Sequence, residues 1–414
     1  MQTATGSAEI GTREVSDRPP MAGSRALTLD ITRLLSRAHQ ATPTGIDRVE
    51  LAYARALLSM DDRPVSFEAW LPGLGFVSYD RRAVESLLSR LQATWIIGGA
   101  ARSARFARAL LGFRPGRARG SDNLHLIVSH QHLADLGRRI RRQDGVRTCV
   151  YIHDTIPSDF PEYARPGGAE THDRRMRSSV ALADALIVNS AATARSLERF
   201  MDEAGRRPEL LVAPLGVEPR FQQAHGTCAP SDDARPYFLC IGTIEPRKNH
   251  LLLLQVWRAM AERIPAERMP RLILLGRRGW ENENVIDMLE RSKALPGLVV
   301  EEGRVGDARL AALLANARAL LMPSFAEGFG LPVAEALAAG VPVIASDIPV
   351  LRETGGCVPD YLDPLDGPAW MRAIGDYALE NSLARAAQML RMAGWKAPAW
   401  DEHFRTLLPF LDGI

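Results

Sequence analysis

Short apolar runs rich in β-branched residues alternate with longer stretches of helical period along most of the chain. The strand-like runs fall at 27–32, 65–70, 124–129, 148–152, 185–189 and 210–213, then at 237–241, 271–275, 298–302, 319–322 and 342–345. Amphipathic stretches at 46–60, 250–263, 307–315 and 332–339 read as helices between them. That alternation predicts an α/β protein with parallel sheets. The pattern breaks between Pro214 and Pro236, where prolines, a glycine and the polar run Ser231-Asp232-Asp233 leave little periodicity. The expected organisation is a disordered leader (1–24), an N-terminal Rossmann-like domain (25–217), a linker (218–236), a second Rossmann-like domain (237–395) and a C-terminal helix (396–414) that can return to the first domain. Two open sheets joined in this way leave a cleft between their carboxyl edges, where such sheets bind ligands.

Composition narrows the setting. At 414 residues the chain exceeds what one core supports, which agrees with two domains. Its four cysteines, Cys149, Cys228, Cys240 and Cys357, form no C-x-x-C, and two lie inside apolar strands; this points to a reducing compartment and to neither disulfides nor structural zinc. No apolar run approaches the ~18 residues of a membrane span, so a cytoplasmic location is expected, and nothing indicates a nucleic-acid partner. The net charge of +2 hides an asymmetry: residues 1–225 carry 31 Arg against 25 acids. Ten Arg fall within 101–142, where Phe106, Leu110 and Phe113 share a helical face. Such a segment suits either an anionic membrane surface or plain solvation.

The chemistry concentrates in MPSFAEGFGLPVAEALAAGVPVIASD (322–347). A strand ends, a glycine loop follows, and a helix opens at Pro332, with Glu327 in the loop and Glu335 in its first turn. Amides around Phe329, Gly330 and Leu331 would project at the helix N-terminus, where unpaired donors and the dipole favour an anion. A second loop, IGTIEPRKNH (241–250), follows a strand and offers Gly242, Arg247 and Lys248. Arg supplies a planar fork and Lys a point charge, and together they can neutralise a diphosphate without a metal. In the first half, His153 and Asp154 stand where strand 148–152 ends, and His130 and His132 share that edge without a motif.

These motifs resemble glycosyltransferase family 4, of the GT-B fold: EGFGLPVAE carries the Glu-x7-Glu arrangement, and the 241–250 loop is similar to the family's G-x-x-x-x-x-K-N loop. The resemblance is strong over 237–355 and moderate over 27–60 and 147–217. It implies a retaining, metal-independent transfer from a nucleoside-diphosphate sugar, with no cofactor. Glu327 would orient the sugar and Glu335 reach the ribose. Arg247 and Lys248 would grip the diphosphate, and the backbone near Val305 would contact the base. Asp307 is read as the cap of helix 307–315, and His153 would sit by the donor sugar. Thr44-Gly45 with Arg48 resembles the family's N-terminal phosphate and acceptor loop, although the usual second glycine is a threonine here. The implied acceptor is a carbohydrate or polyprenyl-diphosphate-linked oligosaccharide. GDP-mannose is favoured slightly over UDP-glucose and dTDP-rhamnose. A nucleotide-sugar epimerase and an inactive scaffold subunit of a polysaccharide complex are the rival readings.

Overall fold

The computed structural model describes residues 24–98, 113–115, 123–139, 146–222 and 235–414. The leader up to residue 23, Phe106 and Leu110 with most of the Arg-rich segment, Cys228 and most of the linker lie outside these residues.

Among the described residues, fourteen strands form two sheets. The first has the order β4-β3-β2-β1-β5-β6-β7-β8, and the second β11-β10-β9-β12-β13-β14. The N-terminal strands are β1 Ala26–Asp30, β2 Val65–Leu71, β3 Gly75–Tyr79, β4 Phe113–Pro115, β5 Asn123–Ile127, β6 Arg147–Ile152, β7 Ala185–Val188 and β8 Glu209–Val212. The C-terminal ones are β9 Tyr237–Ile241, β10 Arg271–Leu275, β11 Val299–Glu302, β12 Ala319–Met322, β13 Val343–Ser346 and β14 Asp360–Leu362. The second sheet is parallel throughout. The first is parallel except at one edge, where β2, β3 and β4 pair antiparallel. The sequence leaves that edge unmarked, because β3 (GFVSY) breaks its apolar run with Gly75 and Ser78 and β4 has three residues.

Central strands such as β7 and β12 are apolar without interruption and buried at every position because both sheet faces are covered there. In β6, Cys149 and Tyr151 enter a central core while Val150 and Ile152 enter a second one beneath helix Gly168–Leu182. In β9, Leu239 joins the central core and Phe238 and Cys240 the outer core of the second domain. Each such side chain contributes about 1.5–3 kcal/mol by leaving water.

Helix Trp400–Gly413 lies on the N-terminal domain. His403 bonds Tyr53 Oη through Nε2 at 2.6 Å and the Pro214 carbonyl through Nδ1 at 2.8 Å, and Arg63 pairs with Asp412 at 2.5 Å. Phe404, Leu407 and Leu411 complete the apolar side of that contact. Among the described residues, no helix is long and apolar enough to cross a membrane.

Candidate active site

In the second sheet β9 lies between β10 and β12, so the crossovers leave it in opposite directions and their loops part at its carboxyl end. The loops after β9 and β12 therefore lie side by side, and Phe325 N–H bonds the Arg247 carbonyl at 2.8 Å. This is how Arg247 and Lys248 meet Glu327, eighty residues along the chain. Lys248 Nζ is 2.5 Å from Glu327 Oε1, and Arg247 Nη1 is 3.0 Å from Oε2. Arg247 also holds Glu245 at 2.6 Å and donates to the Ala326 carbonyl at 2.9 Å. Burial pushes the Glu327 carboxyl up, but Lys248 and Arg247 outweigh it and hold the group at about 2. Burial opposes the Arg247 charge too, and Glu327 and Glu245 more than restore it, so its pKa is raised. Gly242 leaves room for the lysine: a Cβ there would come within 3.1 Å of Lys248 Cε. Asn249, at φ 54°, braces the loop by donating to the carbonyls of Pro323 at 3.2 Å and Pro364 at 2.9 Å.

Helix Leu331–Ala338 begins at Gly330, whose φ of 88° is a left-handed turn that glycine adopts without strain. Leu331 is its first residue, so Glu335 stands in the second turn, not the first as the sequence suggested. The Phe329 carbonyl is fixed by the Thr354 hydroxyl. The amides of Gly330 and Leu331 precede the first intrahelical bond, in which Val333 N–H meets the Gly330 carbonyl at 2.9 Å.

The two domains meet closely here. A Cβ on Gly328 would stand 2.5 Å from the His153 carbonyl oxygen, so only glycine allows this approach. Ser190 Oγ donates to the Gly328 carbonyl at 2.9 Å. Glu353 accepts the Ala191 amide at 2.6 Å, placing a carboxylate at the N-terminus of helix Ala191–Ala204 in the other domain. Gly45 opens helix Gly45–Leu58 and faces Leu331, with 3.7 Å between the leucine Cδ1 and a Cβ at Gly45.

His153 is 5% exposed at the end of β6, with its ring held by the Val128 carbonyl 2.6 Å from Nε2. The carbonyl accepts, so Nε2 carries the proton and Nδ1 keeps its lone pair. Burial pushes the ring down to about 4, leaving it neutral at pH 7. A neutral ring with a free lone pair accepts a hydrogen bond; it supplies no positive charge. Asn189 fixes the His153 carbonyl at 2.9 Å, and Asp154 Oδ1 accepts the Ile156 amide at 3.2 Å.

Arg48 belongs to a different group. Its Nη2 is 2.5 Å from Asp307 Oδ1, and Arg220 Nη1 is 2.6 Å from Oδ2. Asp307 is therefore not the side-chain cap of helix Asp307–Ala315; Gly306 holds that position and the carboxylate ties the domains together. Glu335 stands beside this cluster. Burial pushes its carboxyl up to about 7, which Asp307 and Glu218 reinforce and Arg48 and Arg220 oppose. Val305 lies at the same seam, its carbonyl carbon 3.2 Å from a Cβ placed on Gly98. The expected residues thus fall into two groups, Arg247–Lys248–Glu327 facing His153, and Glu335–Arg48–Asp307 beside Val305. Asn189, Ser190, Glu353 and Thr354 were not singled out from sequence. Only Ser190, an N-cap before a helical run, left a local signal.

Residues 235–376 match the family model described as Glycosyl transferases group 1. Solved structures align with the two-domain architecture over nearly the whole chain. Among them are α,α-trehalose 6-phosphate synthase from Burkholderia multivorans (TM-score 0.63, 13% identity, 94% of this chain and 98% of that one) and sucrose-phosphate synthase from Thermosynechococcus elongatus (0.60, 18%, 93% and 98%). The fold is GT-B. Sequence relatives of the GT-B chain include O-antigen chain mannosyltransferase B of Escherichia coli, 38% identical over 40% of this chain and 42% of that protein. Another, the serotype-specific mannosyltransferase WbdA of Escherichia coli, is 28% identical over 51% of this chain and 27% of that protein. The matched stretches span less than half the length of these two relatives.

Proposed function

We propose that this protein is a retaining glycosyltransferase that moves a hexose from a nucleoside-diphosphate sugar to an acceptor hydroxyl. GDP-mannose is the favoured donor, ahead of UDP-glucose and dTDP-rhamnose, and a lipid-linked oligosaccharide of O-antigen, capsule or exopolysaccharide synthesis is the favoured acceptor. The similarity to O-antigen mannosyltransferases supports the sugar and the setting. One observation carries the reading: two cations, Lys248 and Arg247, converge on the buried Glu327 beside a helix N-terminus, across a closed cleft from His153.

Without donor, Glu327 is the counter-ion of both cations. An arriving diphosphate takes over part of that role, and the amides of Gly330 and Leu331 add donors on its far side. As the sugar–phosphate bond breaks, the preorganised charges of Arg247 and Lys248 stabilise the departing diphosphate. Glu327 stays ionised, accepts from sugar hydroxyls and offsets positive charge at the ring. The neutral His153 accepts a hydroxyl hydrogen bond at Nδ1. Glu335 binds the ribose. The approach of Gly328 to the His153 carbonyl excludes water that would hydrolyse the donor. The cation pair makes a divalent metal dispensable in this scheme. The Arg-rich 101–142 segment, most of whose arginines lie outside the described residues, is where the protein would meet an anionic membrane surface.

The test is a thermal shift against UDP, GDP, dTDP and their sugars, with and without EDTA. One nucleotide should stabilise the protein, EDTA should not matter, and Lys248→Ala should abolish the shift. No shift with any nucleotide, well above typical donor affinities, would overturn the donor site.

A further inference from the structure

The N-terminal sheet has a switch point of its own. β1 lies between β2 and β5, so the loops after β1, β5 and β6 gather at the carboxyl edge of this sheet, the position where such sheets form a ligand crevice. Arg33 lies on helix Thr32–Arg37 directly after β1, His130 follows β5, and Arg175 lies on helix Gly168–Leu182 after β6. None of the three takes part in the donor chemistry above.

Arg33 spends Nε on Asp47 at 2.8 Å and Nη2 on Thr44 Oγ1 at 3.2 Å. Arg37 shares the same carboxylate at 3.3 Å, and its Nη2 is buried without a partner among the described residues. His130 accepts the His153 amide on Nε2 at 2.9 Å, so the neutral ring keeps a proton on Nδ1 to donate. Its ring packs 5.2 Å from that of His172, one turn before Arg175 on the same helix. Among the described residues Arg175 makes no side-chain hydrogen bond or ion pair, and its Nε is buried and unpartnered. Burial, and then the charges of Arg33 and Arg174, lower its pKa.

Arg33 and Arg37 thus share the carboxylate of Asp47, while Arg175 has no ion pair among the described residues. Burial, reinforced by Asp30 and Asp47, pushes the Glu50 carboxyl well above the ordinary range. Asp30 accepts the Thr32 amide at 2.8 Å. A half-buried guanidinium without a counter-ion is costly unless an anion completes it. Donors arriving from three separate elements suit a tetrahedral oxyanion better than a planar carboxylate, which one arginine fork satisfies.

We propose that this crevice binds a phosphoryl group of the acceptor, with Arg175 and Arg33 as its cationic walls and His130 Nδ1–H as a neutral donor. The proposal rests on the acceptor half of the function above and names the acceptor's chemistry. The phosphoryl group belongs either to a lipid-linked glycosyl diphosphate or to a free glycosyl phosphate.

The test begins with calorimetric titration of inorganic pyrophosphate into Lys248→Ala protein, in which the donor loop is disabled. Pyrophosphate should still bind. Adding Arg175→Gln should weaken it about tenfold or more, and Arg175→Lys should restore part of the loss. Arg175 has no described partner to lose and its burial is costly, so the Gln variant should melt no lower than the parent. Binding that vanishes with Lys248 alone, or that ignores Arg175→Gln, overturns the proposal. In transfer assays with Lys248 intact, Arg175→Gln should raise KM for the phosphorylated acceptor and leave the donor KM unchanged. A glycosyl phosphate and a micellar lipid-linked diphosphate, assayed in parallel, distinguish the two sources. An equal loss with a dephosphorylated acceptor overturns it. The titration needs no turnover, so failure of the transferase reading would show in the nucleotide shifts and leave the pyrophosphate result standing.

Discussion

Glu335→Gln should stabilise the unliganded protein at alkaline pH while weakening nucleotide binding. The wild-type carboxyl stands at about 7 in the folded chain, against an ordinary value of 4.5. A carboxyl raised by folding stays protonated in the native state after the unfolded chain has released its proton. Stability therefore falls from about pH 4.5 to about pH 7 and is level beyond. At about 1.4 kcal/mol per pH unit, that span is worth about 3 kcal/mol. Glutamine has the same shape and no charge to desolvate, so the variant should match wild type near pH 4.5 and exceed it by about 3 kcal/mol at pH 8.

Urea unfolding of both proteins at pH 5, 6.5 and 8 measures this. Burial also lowers the pKa of His130, His153, His250 and His403, so acid costs both proteins stability below about pH 6.5. The difference between the two proteins cancels that contribution. Nucleotide binding gives the second arm. Ribose hydroxyls favour the ionised carboxylate, so wild-type affinity should rise from pH 5 to pH 8 with proton release, and the variant's should stay flat and weaker. A variant less stable than wild type at pH 8, or a difference that ignores pH, would refute the electrostatic reasoning.

Two further outcomes follow from the packing. Gly328→Val places a Cβ 2.5 Å from the His153 carbonyl oxygen and 3.0 Å from Asp154 Cβ, so it should prop the cleft open. Transfer should be lost and the radius of gyration in solution should increase, and an unchanged radius with full activity would contradict the close approach. Tyr53→Phe removes the buried 2.6 Å bond to His403 Nε2 and should cost about 1–3 kcal/mol in urea. Hydrogen exchange should accelerate first in helix 400–413; uniform acceleration across both domains would argue against a local anchor.

The strands at 237–241, 271–275 and 319–322 were legible to the residue because their apolar side chains face covered layers on both sides. β14 was missed for the opposite reason. Its three residues, Asp360–Leu362, are each only half buried and carry no apolar run. The glycines and proline that open helix Leu331–Ala338 were equally plain, since left-handed backbone and a missing N–H are properties of single residues.

The partners of those residues were a different matter. Asp307 reads as a helix cap because it begins a helical run, yet its carboxylate lies between Arg48, 259 positions away, and Arg220. Nothing local marks Arg175, and its lack of a counter-ion among the described residues emerges only when three loops meet at one sheet edge. By itself the sequence determined the local order of this protein: alternating strands and helices, the loops able to hold an anion, and the residue types that chemistry would require. The tertiary structure alone decided which charges face one another and how dry they are. Those two facts place Glu327 near 2 and Glu335 near 7, though both are glutamates in one short segment. The reason is physical: backbone preference and hydrophobic period act over a few residues, whereas desolvation and Coulomb energy depend on distances that only the packed chain defines.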